Sequence, residues 1–279
     1  MKVSTNSSGI MSRVLAILVT GLLATQIMFG QVPWYNADWQ FRVPVTVTNA
    51  NTEALAGFQI QITFTGSSFT WGQANSDGSD IVFTDISGTT LLPFWIETWD
   101  PSGQQASIWV KATSLPVGTT TIYMYYGNSE AGSLSNASNT FDFYDDFSDE
   151  TINTSKWEVV TGDFSIEGGS LRFQGTLFGD RIRARKDGAN FIFTNGIIEC
   201  SLRGNGGTNE FGPMYRGSDP ESSNGYMIHP TTHNSANLWR IMRRISGVSS
   251  GPITSGGTFA VDTWYRLRAE INNTSHSLY

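Results

Sequence analysis

The sequence predicts an all-β protein with two β-sandwich domains behind an N-terminal leader. Three observations point there. Charged residues are 15% of the 279-residue chain while Gly alone numbers 29 and aromatics reach 13%, a composition unlike that of a helical bundle or a disordered acidic tail. Apolar residues alternate with polar ones over short runs that Gly, Asn, Ser and Pro separate. The length is enough for two domains, each with its own core.

Residues 1–30 read as a secretory signal peptide. Lys2 and Arg13 precede Val14–Gly30, which carries no charge and ends among small residues. Thr20, Gly21, Thr25 and Gln26 interrupt the apolar run, which falls short of the ~20 residues that a membrane span needs. The expectation is an exported protein, secreted or held in the cell envelope, with no membrane insertion beyond this segment.

Residues 31–128 read as the first sandwich. Gln40–Thr48 puts Phe41, Val43, Val45 and Val47 on one face, and the next run does the same with Phe58, Ile60, Ile62 and Phe64. Asp80–Phe83, Leu91–Trp99, Ile108–Ala112 and Thr120–Tyr126 complete the set. Residues 129–140 are small and polar and read as a linker. Phe141–Glu150 holds five acids and no base, and opens a second domain at residues 141–279. Its strands are expected at Asp163–Ile166, Ser170–Gln174, Arg181–Arg185, Gly196–Arg203, Tyr226–Ile228, Leu238–Ile245 and Trp264–Ile271. Cys200, the single cysteine, shares a face with Ile198 and Leu202 and reads as a small buried hydrophobe. It closes no intrachain disulfide.

The net charge of −7 disfavours nucleic acid as a partner. The charge is uneven: residues 31–128 hold 7 acids and 2 bases, whereas residues 151–279 hold 11 acids and 13 bases, 11 of them Arg.

The stretches WYNADWQFRVPVTVTN, GSDIVFTDISGTTLLPFWIETWD, ASIWVKATSLPVGTTTIYMYYGN and FDFYDDFSD carry a resemblance of the first domain to an exported bacterial and archaeal family, domain of unknown function 2341. It implies an envelope or multidomain setting and no assigned activity. The second half is similar to concanavalin-like (laminin-G-like) jelly rolls through SKWEVVTGDFSIEGGSLRF, GIIECSLRG, FGPMYRGSDPESSNGYMI and DTWYRLRAEI. That resemblance implies a sandwich that serves binders and glycosidases alike, and one whose C-terminus is incomplete at Tyr279.

Candidate chemistry follows from residue types and spacing. In the first domain, Trp95, Glu97 and Trp99 alternate against Phe94 and Ile96, Trp109 and Lys111 against Ile108 and Val110, and Tyr123 and Tyr125 against Ile122 and Met124. If those strands are neighbours, one face carries three Trp, two Tyr and a Glu97–Lys111 pair, a platform suited to sugar rings unless Trp34–Trp39 or the second domain covers it. Arg181, Arg183 and Arg185 project together and suit carboxylate or sulfate groups, or else form a solvated face. Asp145 and Asp146, with Asp142 and Asp149 nearby, could hold a structural calcium, which the jelly-roll resemblance also implies; the other reading is a solvated acidic hinge. His229 and His233 have a helical metal-pair spacing, but Pro230 argues for a loop.

No catalytic residue is assigned, because the paired carboxylates of a glycosidase are missing. The expected function is an exported, non-catalytic module that binds glycan or a cell-surface partner. The alternatives are a structural spacer of an envelope or adhesin assembly and a glycosidase-like enzyme built on Glu199, Glu210 and Asp219.

Overall fold

The computed structural model describes residues 1–5, 14–18, 32–173, 180–204, 212–217, 224–231, 238–246, 248–258 and 260–279. It is all-β. The chain divides into two compact units: residues Ser12–Phe141 form one, and Met1–Met11 with Asp142–Tyr279 form the other. Of the expected leader, Lys2–Thr5 (β1) and Val14–Leu18 (β2) are strands, β1 in the second unit and β2 in the first. Residues 6–13 and 19–30 lie outside the described residues. No helix among the described residues is long and apolar enough to cross a membrane.

In the unit Ser12–Phe141, β2 is followed by β3 (Phe41–Asn49), β4 (Leu55–Thr65), β5 (Val82–Thr84), β6 (Phe94–Asp100), β7 (Gln105–Leu115) and β8 (Gly118–Tyr126). They form a four-stranded sheet in the order β2-β3-β8-β5 and a three-stranded sheet in the order β4-β7-β6. Val45, Val47, Phe83, Ile122 and Met124 from the first sheet share one core with Ile60, Ile62, Phe64, Phe94, Ile108 and Val110 from the second. Period-two alternation accounts for this core: β3, β4, β7 and β8 each turn a set of aliphatic residues inward.

One polar knot holds the end of this sandwich. Asp80 is fully buried; its carboxylate accepts hydrogen bonds from the N–H of Asn75 (2.9 Å) and of Gly127 (2.5 Å), and its carbonyl accepts the Trp39 indole N–H at 2.6 Å. Gly127 has φ +89°, and a Cβ there would stand 2.5 Å from the Phe41 ring. The Tyr125-Tyr126-Gly127-Asn128 run needs its glycine for both reasons.

The segment expected as a linker is folded onto this unit. Ser135 Oγ accepts from Ile96 N–H at 2.8 Å, and Asn136 N–H donates to Phe94 O at 2.8 Å. The Asn136 side chain then caps the single helical turn α1 (Ala137–Thr140) by accepting from Asn139 N–H. The Thr140 carbonyl accepts from the buried Gln59 side chain at 3.0 Å.

In the second unit, β1 is joined by β9 (Phe143–Tyr144), β10 (Trp157–Thr161), β11 (Phe164–Ile166), β12 (Leu171–Phe173), β13 (Arg181–Lys186), β14 (Ala189–Asn190), β15 (Gly196–Leu202) and β16 (Met214–Tyr215). After these come β17 (Gly225–Thr231), β18 (Leu238–Ile245), β19 (Val248–Thr258), β20 (Tyr265–Asn272) and β21 (Ser275–Leu278). A five-stranded sheet runs β21-β20-β15-β1-β9 and a four-stranded sheet runs β16-β17-β18-β19; β10-β13-β14 and the hairpin β11-β12 are smaller. Val3, Ile198, Cys200, Leu267, Ala269 and Ile271 of the first sheet share a core with Tyr215, Ile228, Trp239 and Ile241 of the second. Cys200 is buried and free, and burial pushes its thiol up to about 12.

Candidate functional site

The aromatic stripe expected on one face is divided between two. β6 and β7 lie in the three-stranded sheet with β4, whereas β8 lies in the other sheet, between β3 and β5. Trp95 and Trp109 are paired directly across β6 and β7; Tyr123 and Tyr125 face outward from the opposite side of the sandwich.

A bulge divides the stripe again. Ile96 pairs with Ile108 and Thr98 with Ser107, so Glu97 is the extra residue of β6 and the alternation inverts after it. Trp99 is thereby turned to the core side, where its ring lies 5.4 Å from that of Trp71 and 5.7 Å from that of Phe69. The expectation that Trp95, Glu97 and Trp99 share one face is corrected: the bulge moves Trp99 away.

Both outer faces are closed by the unit's own chain. On the β6–β7 face, the Phe141 ring stands edge-on to Trp95 (5.7 Å) and to Trp109 (5.5 Å). Trp109 is left 7% exposed, and its indole N–H donates to Glu97 Oε2 at 2.9 Å, an oxygen that also accepts from Ser107 Oγ at 3.1 Å. On the β8 face, the Arg42 guanidinium lies 4.7 Å from the Trp34 ring and 4.7 Å from the Tyr123 ring. The same guanidinium donates to the carbonyls of Val32 and Pro33 at 3.1 Å. Tyr125 is 0% exposed beneath Trp34 and Tyr35, and its hydroxyl donates to Gly88 O at 2.8 Å. Three of the platform residues, Trp99, Trp109 and Tyr125, thus serve packing.

In the second unit, Arg181, Arg183 and Arg185 lie on β13 and are half-buried. Glu158 on the neighbouring β10 faces two of them, at 3.6 Å from Arg183 and 3.8 Å from Arg185. Arg183 also donates to Asn190 Oδ1 and Arg185 to Gly188 O.

Asp145 is buried, and its two oxygens accept from Lys156 Nζ (3.0 Å) and from the Trp157 indole (2.5 Å). Lys156 supplies a neutralising charge beside it. The Asp146 carboxylate accepts from the N–H and hydroxyl of Ser148. Burial would raise it, but those bonds and the charge of Lys156 hold it below the usual carboxylate range. Among the described residues, no group of three or more His, Cys, Asp or Glu side chains gathers around one point. His229 is buried on β17, paired with Arg240 on β18; His233 lies outside the described residues.

Of the three acids of the glycosidase alternative, Glu210 and Asp219 also lie outside the described residues. Glu199 is tied to three cations: Lys2 at 3.0 Å, Arg266 at 2.9 Å and Arg268 at 2.8 Å. Burial alone would raise its carboxyl, but the hydrogen bonds and charges of Arg266 and Lys2 outweigh that and hold it low.

Sequence reading missed two groupings. In one, Tyr215 and His276 share a hydrogen bond of 2.7 Å, and the Tyr226 ring lies 4.5 Å from that of His276. This joins β21 to β16 and β17. Burial, and then the charge of Arg216, lower the His276 pKa and favour the neutral ring.

The other is at the end of β15 and β20. Leu202 pairs with Tyr265, so Arg203 and Trp264 stand side by side beyond them, and the guanidinium lies 5.1 Å from the indole ring. Trp264 is 50% exposed. It immediately precedes β20, a strand that turns Arg266 and Arg268 outward. The sequence signal was the Trp-Tyr-Arg-Leu-Arg run, in which every second residue is a Trp or an Arg.

Residues 77–160 match a family model described as Domain of unknown function (DUF2341). No curated protein and no solved structure matches the chain. The matched stretch takes in β5 to β8 and α1 of the first unit together with β9 and most of β10 of the second, and it is to this family that these 84 residues are similar.

Proposed function

We propose that this chain is an exported, non-catalytic recognition module that binds an acidic carbohydrate of a cell surface. The observation that carries the reading is the half-exposed Trp264 beside Arg203, just ahead of the strand that turns Arg266 outward. An indole offers a flat apolar plate to the C–H face of a sugar ring, and guanidinium forks suit carboxylate or sulfate groups. The leader pattern of residues 1–30 supports export. The two sheets closed on one core support a concanavalin-like jelly roll for the second unit. The engagement of Glu199 and Asp145 with cations speaks for binding over catalysis.

The test is calorimetric titration of the full chain with heparin and with polygalacturonate. Binding is expected to weaken with salt, and to be lost in Trp264→Ala and Arg203→Ala chains that keep their melting temperature. Folded chain that binds neither polymer would sink the reading.

A second reading, a structural spacer without ligand, has its own support. Phe141 closes one outer face of the first unit, and Trp34 with Arg42 closes the other. It predicts tryptophan emission in that unit that no sugar changes.

A further inference from the structure

β1 lies inside its sheet, antiparallel to β15 on one side and to β9 on the other. Its two described faces are both engaged. Val3 points into the core, 1% exposed, in the cluster that holds Ile198 and Phe143. Lys2 lies on the other face, with its ammonium on Glu199. The backbone is engaged as well: Asp145 N–H donates to Met1 O at 2.9 Å, and Asp142 N–H to Val3 O at 3.0 Å. Without this strand, β9 and β15 would both lose a neighbour in the middle of the sheet. The slot so opened would offer two rows of unpaired N–H and C=O groups above an apolar floor, which is a template for another strand.

We propose that the slot between β9 and β15 is a strand-acceptor site for an extended segment of a partner protein. The segment it fits carries a cation opposite Glu199 and a β-branched aliphatic residue at the Val3 position. Lys2–Thr5 fills the slot while the leader is attached, and its removal on export vacates it. The vacancy rests on the export reading; the acceptor chemistry rests on the slot. Backbone hydrogen bonds supply the affinity, and the two alternating side-chain positions supply the selection.

The test uses the full chain carrying Val3→Asp, which sets an unpaired carboxylate in the core and expels β1. A labelled synthetic peptide of residues 1–13 is the probe. It is expected to bind that chain saturably by fluorescence anisotropy and to raise its melting temperature. Peptides with Val3→Asp or Lys2→Glu should bind about tenfold more weakly or worse. The unmodified chain, its slot filled, should bind no peptide.

A folded Val3→Asp chain that captures no peptide would overturn the proposal, as would an unfolded one that the peptide does not restore. Equal binding to the unmodified chain would overturn it too. Pairing of the Val3→Asp chain with the unmodified chain, in place of peptide capture, would assign the slot to a second copy rather than a partner. The mass of the exported protein tests export separately: a mature chain that keeps Lys2–Thr5 defeats leader removal and leaves the peptide result standing.

Discussion

Glu97 accepts the indole N–H of Trp109 at 2.9 Å, across the very bulge that turns Trp99 away from both. This pair fixes the ring edge-on beneath Phe141. Glu97→Ala leaves a nearly buried indole N–H without that acceptor and should cost about 1–3 kcal/mol. Trp109→Phe removes the donor and also opens space in a packed site, so it should cost at least as much. Urea unfolding of both variants checks this; an unchanged stability in Glu97→Ala would mean that the hydrogen bond contributes nothing.

The Asp80 knot should be the most sensitive polar point of the first unit. Asp80→Ala strands the N–H groups of Asn75 and Gly127, at about 1–3 kcal/mol for each group left unsatisfied. Asp80→Asn keeps one acceptor and should lose less. Gly127→Ala fails for a different reason, the left-handed backbone and the Phe41 ring, and no rescue by Asp80 variants is expected. Thermal melts of these chains decide it.

Acid should weaken the second unit through Glu199. Its folded pKa lies below the ordinary value of 4.5, so its stabilising contribution is present above that value and is lost as the pH falls through the folded pKa. His276 acts earlier on the same side. Its folded pKa is below the ordinary 6.5, so stability declines as the pH drops under 6.5 and the unfolded chain takes up the proton first. Urea midpoints measured from pH 7 to pH 3 should fall in two stages, with the upper stage abolished by His276→Gln and the lower reduced by Glu199→Gln. A single stage unaffected by either variant would refute the assignment.

Cys200 should be inert in the native protein. With its thiol pushed up to about 12 by burial, almost no thiolate exists at pH 8. A thiol-reactive dye is expected to label the chain after denaturation and not before; native labelling at the rate of a free thiol would contradict the buried position.

Much of the fold is legible along the chain because alternation is a local property. Val45, Val47, Ile60, Ile62, Ile108, Val110, Ile122 and Met124 all turn inward as their spacing implies. The candidate site was harder to read, for two physical reasons. Which strands become neighbours is not local, so nothing in TIYMYYG says that it pairs with β3 and β5 rather than with β7. A bulge adds one residue without changing composition, so FWIETW reads as unbroken alternation up to Trp99. Residues 129–140 were misleading in another way. Their Ser, Asn and Thr side chains have the composition of a free linker, yet Ser135 and Asn136 satisfy particular groups on β6 and on α1.

The Arg42 side chain has a consequence for proteolysis. It holds the carbonyls of Val32 and Pro33 against the domain, and Pro33 brings a peptide bond that has no N–H for a protease to grip. An enzyme nibbling from an upstream cut would meet a pinned Val-Pro step and halt, so the aromatic lid over Tyr125 would outlast whatever trimming precedes it.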